Sequence, residues 1–266
     1  MSNIKNCWGD DNQYDYHAIV DGLNKFLKIK TLPIGMKRYR TVEEMEAIPK
    51  IKRPNPAEKL NTDQIVGQSR WIGYTIGVTM DNLAAEQCGA VIGLHPRDNE
   101  FLSGNAFNGV WYSSLEDSAK HQQEMDCASY GQYQALAVSP LVSGRLGNPD
   151  ICLIYCTPGQ MITLINGLQW TGYKKLAFGC VGESACADSW GRALKTGEPS
   201  VSIPCYAERK FGGVQDDELL IALPPSFLPK ALEGLQALSK NGLRYPIPNH
   251  GIEKSPMSSL VQSYGK

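Results

Sequence analysis

The chemistry open to this chain lies first in its cysteines, of which there are eight in 266 residues. Cys88 precedes Gly89 and Ala90, Cys186 lies between Ala185 and Ala187 shortly after Gly182, and Cys205 follows Pro204. Each of these three stands at a turn beside small residues, which leave room for a cofactor. A thiolate at a helix start or near a cation is held in the charged form, which ligates metal or attacks an electrophile. Arg209, four residues past Cys205, is such a cation. On residue types alone the trio reads as ligands, as reactive thiols, or as small buried hydrophobes.

The other cysteines read differently. Cys152 and Cys156 fall in the apolar run Ile151–Cys156, where a free thiol packs as a hydrophobe. Cys7 and Cys127 stand in polar, irregular surroundings, and Cys180, in Gly179, Cys180, Val181, Gly182, follows a strand where it could line a site. His17, His95, His121 and His250 are scattered without metal-ligand spacing; His95 follows the Cys88 helix closely and reads as surface. There is no C-x-x-C, HExxH, P-loop or G-x-S-x-G. The Gly179, Gly182, Glu183 stretch is too short for a dinucleotide fingerprint.

Composition narrows the partners. Apolar residues are 42% of the chain, charged residues 20%, and the formal net charge is −1, with a pI near 6.4. Lys37, Arg38, Arg40 and Lys50, Lys52, Arg53 form a local basic cluster that reads as a solvated face, so nucleic acid is not an expected partner. No window approaches the ~20 apolar residues of a membrane span, and the start lacks an apolar signal core. The expectation is a cytoplasmic protein acting on a small molecule, with no membrane partner and with a homo-oligomer allowed. In that compartment cysteines are thiols or metal ligands rather than disulfides.

The elements that must position the trio are legible as periodicity. Residues 1–16 read as an irregular arm and 247–266 as a tail. Ile19, Val20, Leu23, Phe26 and Leu27 predict a first helix, Pro33 to Arg40 a strand, and Ala47 to Asn61 a proline-rich loop. Thr62, with Asp63 as an alternative cap, opens a helix that leads to a strand over Thr75 to Thr79, and Asp81 opens a second helix carrying Cys88. His95 to Val110 reads as a functional loop or lid, and Ser113 to Met125 as a polar amphipathic helix.

Strands are predicted over Tyr133 to Pro140, Ile151 to Cys156, Leu176 to Cys180, Ser200 to Pro204 and Glu218 to Leu223. Helices are predicted after Thr157 and Pro158, from Ser184 with Cys186, and from Phe227 to Leu238. The count is roughly seven strands and seven helices. This succession predicts an α/β or α+β domain over 17–246, a mixed sheet with flanking helices. A strand, a helix and a cysteine near a helix start recur in each part, which would divide it into two related halves, 17–130 and 131–246.

Several motifs resemble those of the DUF169 family. Leu32, Pro33, Ile34, Gly35, Met36, Lys37 resembles its Pro-Val-Ala-Val-Lys segment. Cys88, Gly89, Ala90 with Ile92, Gly93, Leu94 resembles its Cys-x-Gly-Ala followed by Leu-Gly-Leu, and Ser139, Pro140, Leu141 its Ala-Pro-Leu. Asn148, Pro149, Asp150 and Thr157, Pro158, Gly159, Gln160 are similar to its Pro-Asp strand entry and Asn-Pro-x-Gln turn. The likeness continues through Ala185 to Asp188, Thr196 and Gly197, Ile203 to Arg209, and Asp216 to Leu219, so that it spans about residues 17 to 246.

The resemblance implies recurring cysteines at Cys88, Cys186 and Cys205. Many members carry another before the first cysteine helix, where this chain reads Asp63 to Gln68, and Glu208 replaces the usual Asp before Arg209. The family is abundant in anaerobes and methanogens. Three soft thiolates select zinc, copper(I) or iron and sulfur, and an anaerobic cytoplasm favours a 4Fe–4S cluster with one iron open to substrate. The resulting expectation is an iron–sulfur lyase or oxidoreductase. In it Cys88, Cys186 and Cys205 are the ligands, Arg209 and Lys37 orient an anionic or oxygen-bearing substrate, and Glu208, or one of Asp216 to Glu218, moves a proton. The alternatives are a non-catalytic carrier of zinc or a tetrapyrrole, a redox sensor, and a metal-free thiol enzyme.

Overall fold

Ile151–Cys156 is apolar at every position because it is buried on both faces: it forms β4, near the middle of a seven-stranded sheet. The computed structural model describes residues 14–55, 57–84 and 86–247. Of the arm expected over 1–16, residues 1–13, Cys7 among them, lie outside the described residues, as do 248–266 of the tail expected over 247–266, while Tyr16 already opens α1 behind its N-cap Asp15.

The strands are β1 (Ile34–Tyr39), β2 (Ile76–Thr79), β3 (Ala135–Pro140), β4, β5 (Ala177–Phe178), β6 (Ser200–Ser202) and β7 (Leu219–Leu223), and they lie in the order β2-β3-β1-β4-β7-β6-β5. Every pairing is antiparallel except β5 with β6. The sheet is therefore mixed and the fold mixed α/β. β1 inserts between β3 and β4, so one sheet runs through residues from both parts of the chain.

Alternation along the strands divides the core. On one face Ile34, Met36, Val138, Leu153, Tyr155 and Leu220 pack against α3 (Thr62–Ile72), α4 (Glu86–Val91) and a π-helical turn over Ala187–Gly191. On the other, Cys152, Ile154, Cys156, Ile221 and Leu223 pack against α1 (Tyr16–Leu27), α7 (Pro158–Gln169) and α10 (Phe227–Lys240). Cys152 and Cys156 are thus core hydrophobes beneath α1 and α7. The remaining helices are α2 (Val42–Glu46), α5 (Asn99–Leu102), α6 (Leu115–Glu124), α8 (Arg192–Thr196) and α9 (Tyr206–Gly212).

Two glycine crossings set the helix layers. A Cβ on Gly234 of α10 would lie 2.0 Å from the Gly167 carbonyl oxygen of α7, and one on Gly67 of α3 would lie 2.7 Å from the Gly212 carbonyl oxygen of α9. The first closes the α1, α7, α10 layer. The second clamps α3 to α9, and both of those helices carry acidic side chains into the core.

Four expectations are corrected. The helix expected from Asp81 breaks into a 3₁₀ turn, Met80–Asn82, and the separate α4. The reason is that the Asn82 carbonyl accepts from the Leu60 N–H and the Ala84 N–H donates to the Leu60 carbonyl instead of continuing a helix. The cap of α3 is Asn61, whose side chain accepts from the Gln64 N–H at 2.7 Å, so neither Thr62 nor Asp63 caps it. β5 stops at Phe178 because the chain turns to present the Val181 N–H to Asp188 at 2.7 Å. Ser184 does not open a helix: at φ 61° it is in the left-handed region, and the π-helical turn starts after Cys186, its N-cap residue. The stretch from His95 to Val110 contains α5 and is tied to α6 by the Ser118 hydroxyl donating to the Gly104 carbonyl.

Candidate functional site

Cys88, Cys186 and Cys205 come from three different elements and meet on the same face of the sheet. Cys88 lies inside α4, Cys186 at the mouth of the π-helical turn, and Cys205 at the N-cap of α9. All three are buried and free. The Cys186 thiol donates to the Ser184 carbonyl at 3.7 Å, and Cys88 and Cys205 are close enough to Cys186 to perturb it electrostatically. The Cys205 N–H donates to Glu208 Oε2 at 3.0 Å, which holds the thiol at the start of its helix.

Carboxyl groups surround the thiols. Asp63, released from capping, points inward from α3 and is 2% exposed; Glu208, from α9, is 1% exposed. Asp63 Oδ1 and Glu208 Oε1 are buried with no hydrogen-bond partner among the described residues. Burial, reinforced by the Glu183 carboxylate, pushes Asp63 up to about 7. Burial and then the Asp63 carboxylate push Glu208 up to about 8. Glu183 borders the group, its carboxylate accepting from the Tyr206 and Ala207 N–H groups at 3.2 and 3.3 Å.

The thiols respond to the same surroundings. The neighbouring Cys186 thiol favours the Cys88 thiolate, but burial and the Asp63, Glu208 and Glu183 carboxylates together carry Cys88 above its ordinary value. The neighbouring Cys88 thiol and burial push Cys186 well up, and burial followed by the Glu208 carboxylate pushes Cys205 up. The buried cation on the same helix as Asp63 is Arg70, which is engaged: its Nη2 donates to Glu218 Oε1 at 2.5 Å, its Nε to the Thr31 hydroxyl at 3.2 Å, and its guanidinium lies 3.9 Å over the Tyr155 ring. The Tyr155 hydroxyl and Arg70 Nη1 are also buried without a partner among the described residues.

Not every expected residue arrives. Lys37 is on the opposite face of β1 from Met36: its Nζ donates to the Leu146 carbonyl at 2.9 Å and lies over Tyr39. The parity of the strand turns it away from the thiols. Arg209 donates to the Gln215 carbonyl at 2.6 Å, with Asp216 at 3.9 Å, so its charge is committed to that loop. Asp217 pairs at the surface with Lys30, while Glu218 is buried on Arg70. Cys180 is exposed and Cys127 half-buried.

The model of the DUF169 family, described as uncharacterised ArCR, matches residues 22–234. The chain belongs to the DUF169 family. No curated protein and no solved structure matches it. Within this DUF169 chain, sequence reasoning missed Asp63, Arg70, Tyr155, Glu183 and His121. His121, its ring tilted against those of Phe107 and Tyr112 at 5.3 and 5.2 Å, bonds the Glu183 carbonyl through Nε2 at 2.8 Å. The available signal was in α3: Asp63, Val66, Gly67 and Arg70 share one helical face, so charges flank apolar positions that must be buried.

The donor set fits a soft cation in kind, since three thiols and two partnerless carboxyl oxygens converge in a buried region. As the side chains are placed, no three His, Cys, Asp or Glu among the described residues form a group that could hold a metal ion. Among the described residues no helix is long and apolar enough to cross a membrane.

Proposed function

We propose that this DUF169 chain is a cytoplasmic metalloprotein in which Cys88, Cys186 and Cys205 take up a soft metal centre, a 4Fe–4S cluster before zinc. One observation carries the reading: three thiols and the carboxyls of Asp63 and Glu208 are buried together with no cation among the groups that perturb them, and Arg70, the buried cation of the same helix as Asp63, is already matched by Glu218. Ionising such a group without a new positive charge is costly, and burial holds its protons on. A thiophilic cation supplies that charge, replaces the thiol protons, and makes the carboxylates stable as anions. The family's abundance in anaerobes favours iron and sulfur among the soft centres.

A bound cluster would supply an open iron as a Lewis acid or an electron store. The chain's own residues supply the rest. Asp63 and Glu208, pushed up to about 7 and 8 in the metal-free chain, would give up their protons once a cation is bound, and as carboxylates could then accept one from a substrate. Arg70, held by Glu218 and lying over Tyr155, keeps a buried Nη1 without a partner among the described residues. Lyase or oxidoreductase chemistry on a small oxygenated or anionic molecule fits this set.

The contact between Cys88 and Cys186 supports a second reading, a dithiol that reports redox state or metal occupancy without turnover. Purification without oxygen, followed by iron, sulfide and zinc analysis, separates the two. The first reading expects metal that is lost on Cys88→Ser, Cys186→Ser or Cys205→Ser substitution. Metal-free protein that gains a Cys88–Cys186 disulfide on mild oxidation would leave the dithiol.

A further inference from the structure

A cavity lies at the β5 edge of the sheet, and none of the three thiols lines it. It has a volume of about 500 Å³ and opens beside the edge strand β5, between the C-terminal ends of α7 and α8 and the start of α10. That volume is in the range of small-molecule and cofactor sites. Its floor is apolar, with Leu168, Leu176 and Phe227.

Its charge is one-sided. Lys174, Lys175, Arg192 and Lys230 line it against a single carboxylate, Glu198, which Lys174 pairs with at 2.7 Å. Arg192 leans on Asp126 at 3.2 Å. Among the described residues neither Lys175 nor Lys230 has a carboxylate within ion-pair reach; Lys230 lies 5.2 Å over the Phe227 ring. In a chain of net charge −1, this concavity concentrates cations over low-dielectric walls, an arrangement that focuses a positive field and draws in anions. Neither an apolar floor alone nor exposed lysines alone would select a ligand. Together they select one with a flat apolar body and an oxyanion at its edge.

We infer that this cavity binds an organic anion of nucleotide size, its ring or chain on Leu168, Leu176 and Phe227 and its phosphate or carboxylate held by Lys175 and Lys230. The inference is independent of the metal reading, since none of these residues touches the thiol group.

The test uses the full chain and the fluorescent probe 1-anilinonaphthalene-8-sulfonate, which has the required shape and charge. Saturable binding is expected, weakened tenfold or more in Lys175→Glu/Lys230→Glu and by raising the salt, and displaced by adenosine diphosphate but not by neutral adenosine. Both lysines are exposed, so the variant should fold; its circular dichroism should match the parent's. An affinity unchanged by the double substitution, displacement by adenosine as effective as by the diphosphate, or no saturable binding would each overturn the inference.

Discussion

Asp63 and Glu208 are the side chains whose behaviour distinguishes a functional site from a merely packed one. Both hold their protons to higher pH in the folded chain, about 7 and 8, than unfolded, where 3.8 and 4.5 are ordinary. Their contribution to stability is therefore complete below about pH 4 and is lost as pH rises through 7 and 8. Metal-free protein should lose on the order of 2–4 kcal/mol between pH 6 and pH 9 in denaturant titrations, and Asp63→Asn should flatten that slope. A soft metal should stabilise more at pH 8.5 than at pH 6, because it substitutes for protons that are then leaving. The Arg70–Glu218 pair gives a contrasting result. Glu218→Gln leaves a buried guanidinium without its counter-charge and should cost about 3–5 kcal/mol in the same titration. At this scale the cysteine trio was legible, because small neighbours and turns are local signals. Asp63 was not: a carboxyl just inside a helix start reads as a cap until Asn61 is seen to do that work. Lys37 was misread because a strand's parity, which sends it to Leu146, depends on which face the sheet covers.

The elements matter through two contacts that hold the acids and the thiols in place. Gly67 lets α3 approach the Gly212 carbonyl of α9, and this crossing sets Asp63 beside Glu208. Gly67→Ala should force the helices apart, lower stability by about 1–3 kcal/mol, and return both carboxyls toward ordinary values, read by NMR titration of the side chains. If the titration midpoints stayed near 7 and 8 in a destabilised variant, the crossing would be packing alone. The π-helical turn is the second contact. It places Cys186 at its mouth while Asp188 accepts the Val181 N–H and the Ser200 hydroxyl donates to the Asp188 carbonyl. Strongly periodic elements, such as α1, β4, α7 and α10, were readable because hydrophobic spacing is written locally. The ends around the site were not. β5, the Ser184 turn and the break before α4 are decided by tertiary hydrogen bonds to Asp188, Asn82 and Leu60, which no window of sequence contains.

At the scale of the whole molecule, the antiparallel core of the sheet separates a dry layer from a chemical one. α1, α7 and α10 cover apolar side chains on one face, while α3, α4, α9 and the π-helical turn bring thiols and carboxyls to the other. That the sheet would be mixed was legible from the succession of strands and helices; that β1 would insert between β3 and β4 was not, because strand order is a long-range outcome. The most direct test of the central claim is the metal and sulfide content of protein purified without oxygen, recorded with its absorbance spectrum. The account predicts iron and sulfide in near-cluster proportion with a broad band near about 400 nm, absent in each of the three cysteine-to-serine variants. Colourless protein without iron, sulfide or zinc, or metal retained in all three variants, would contradict it.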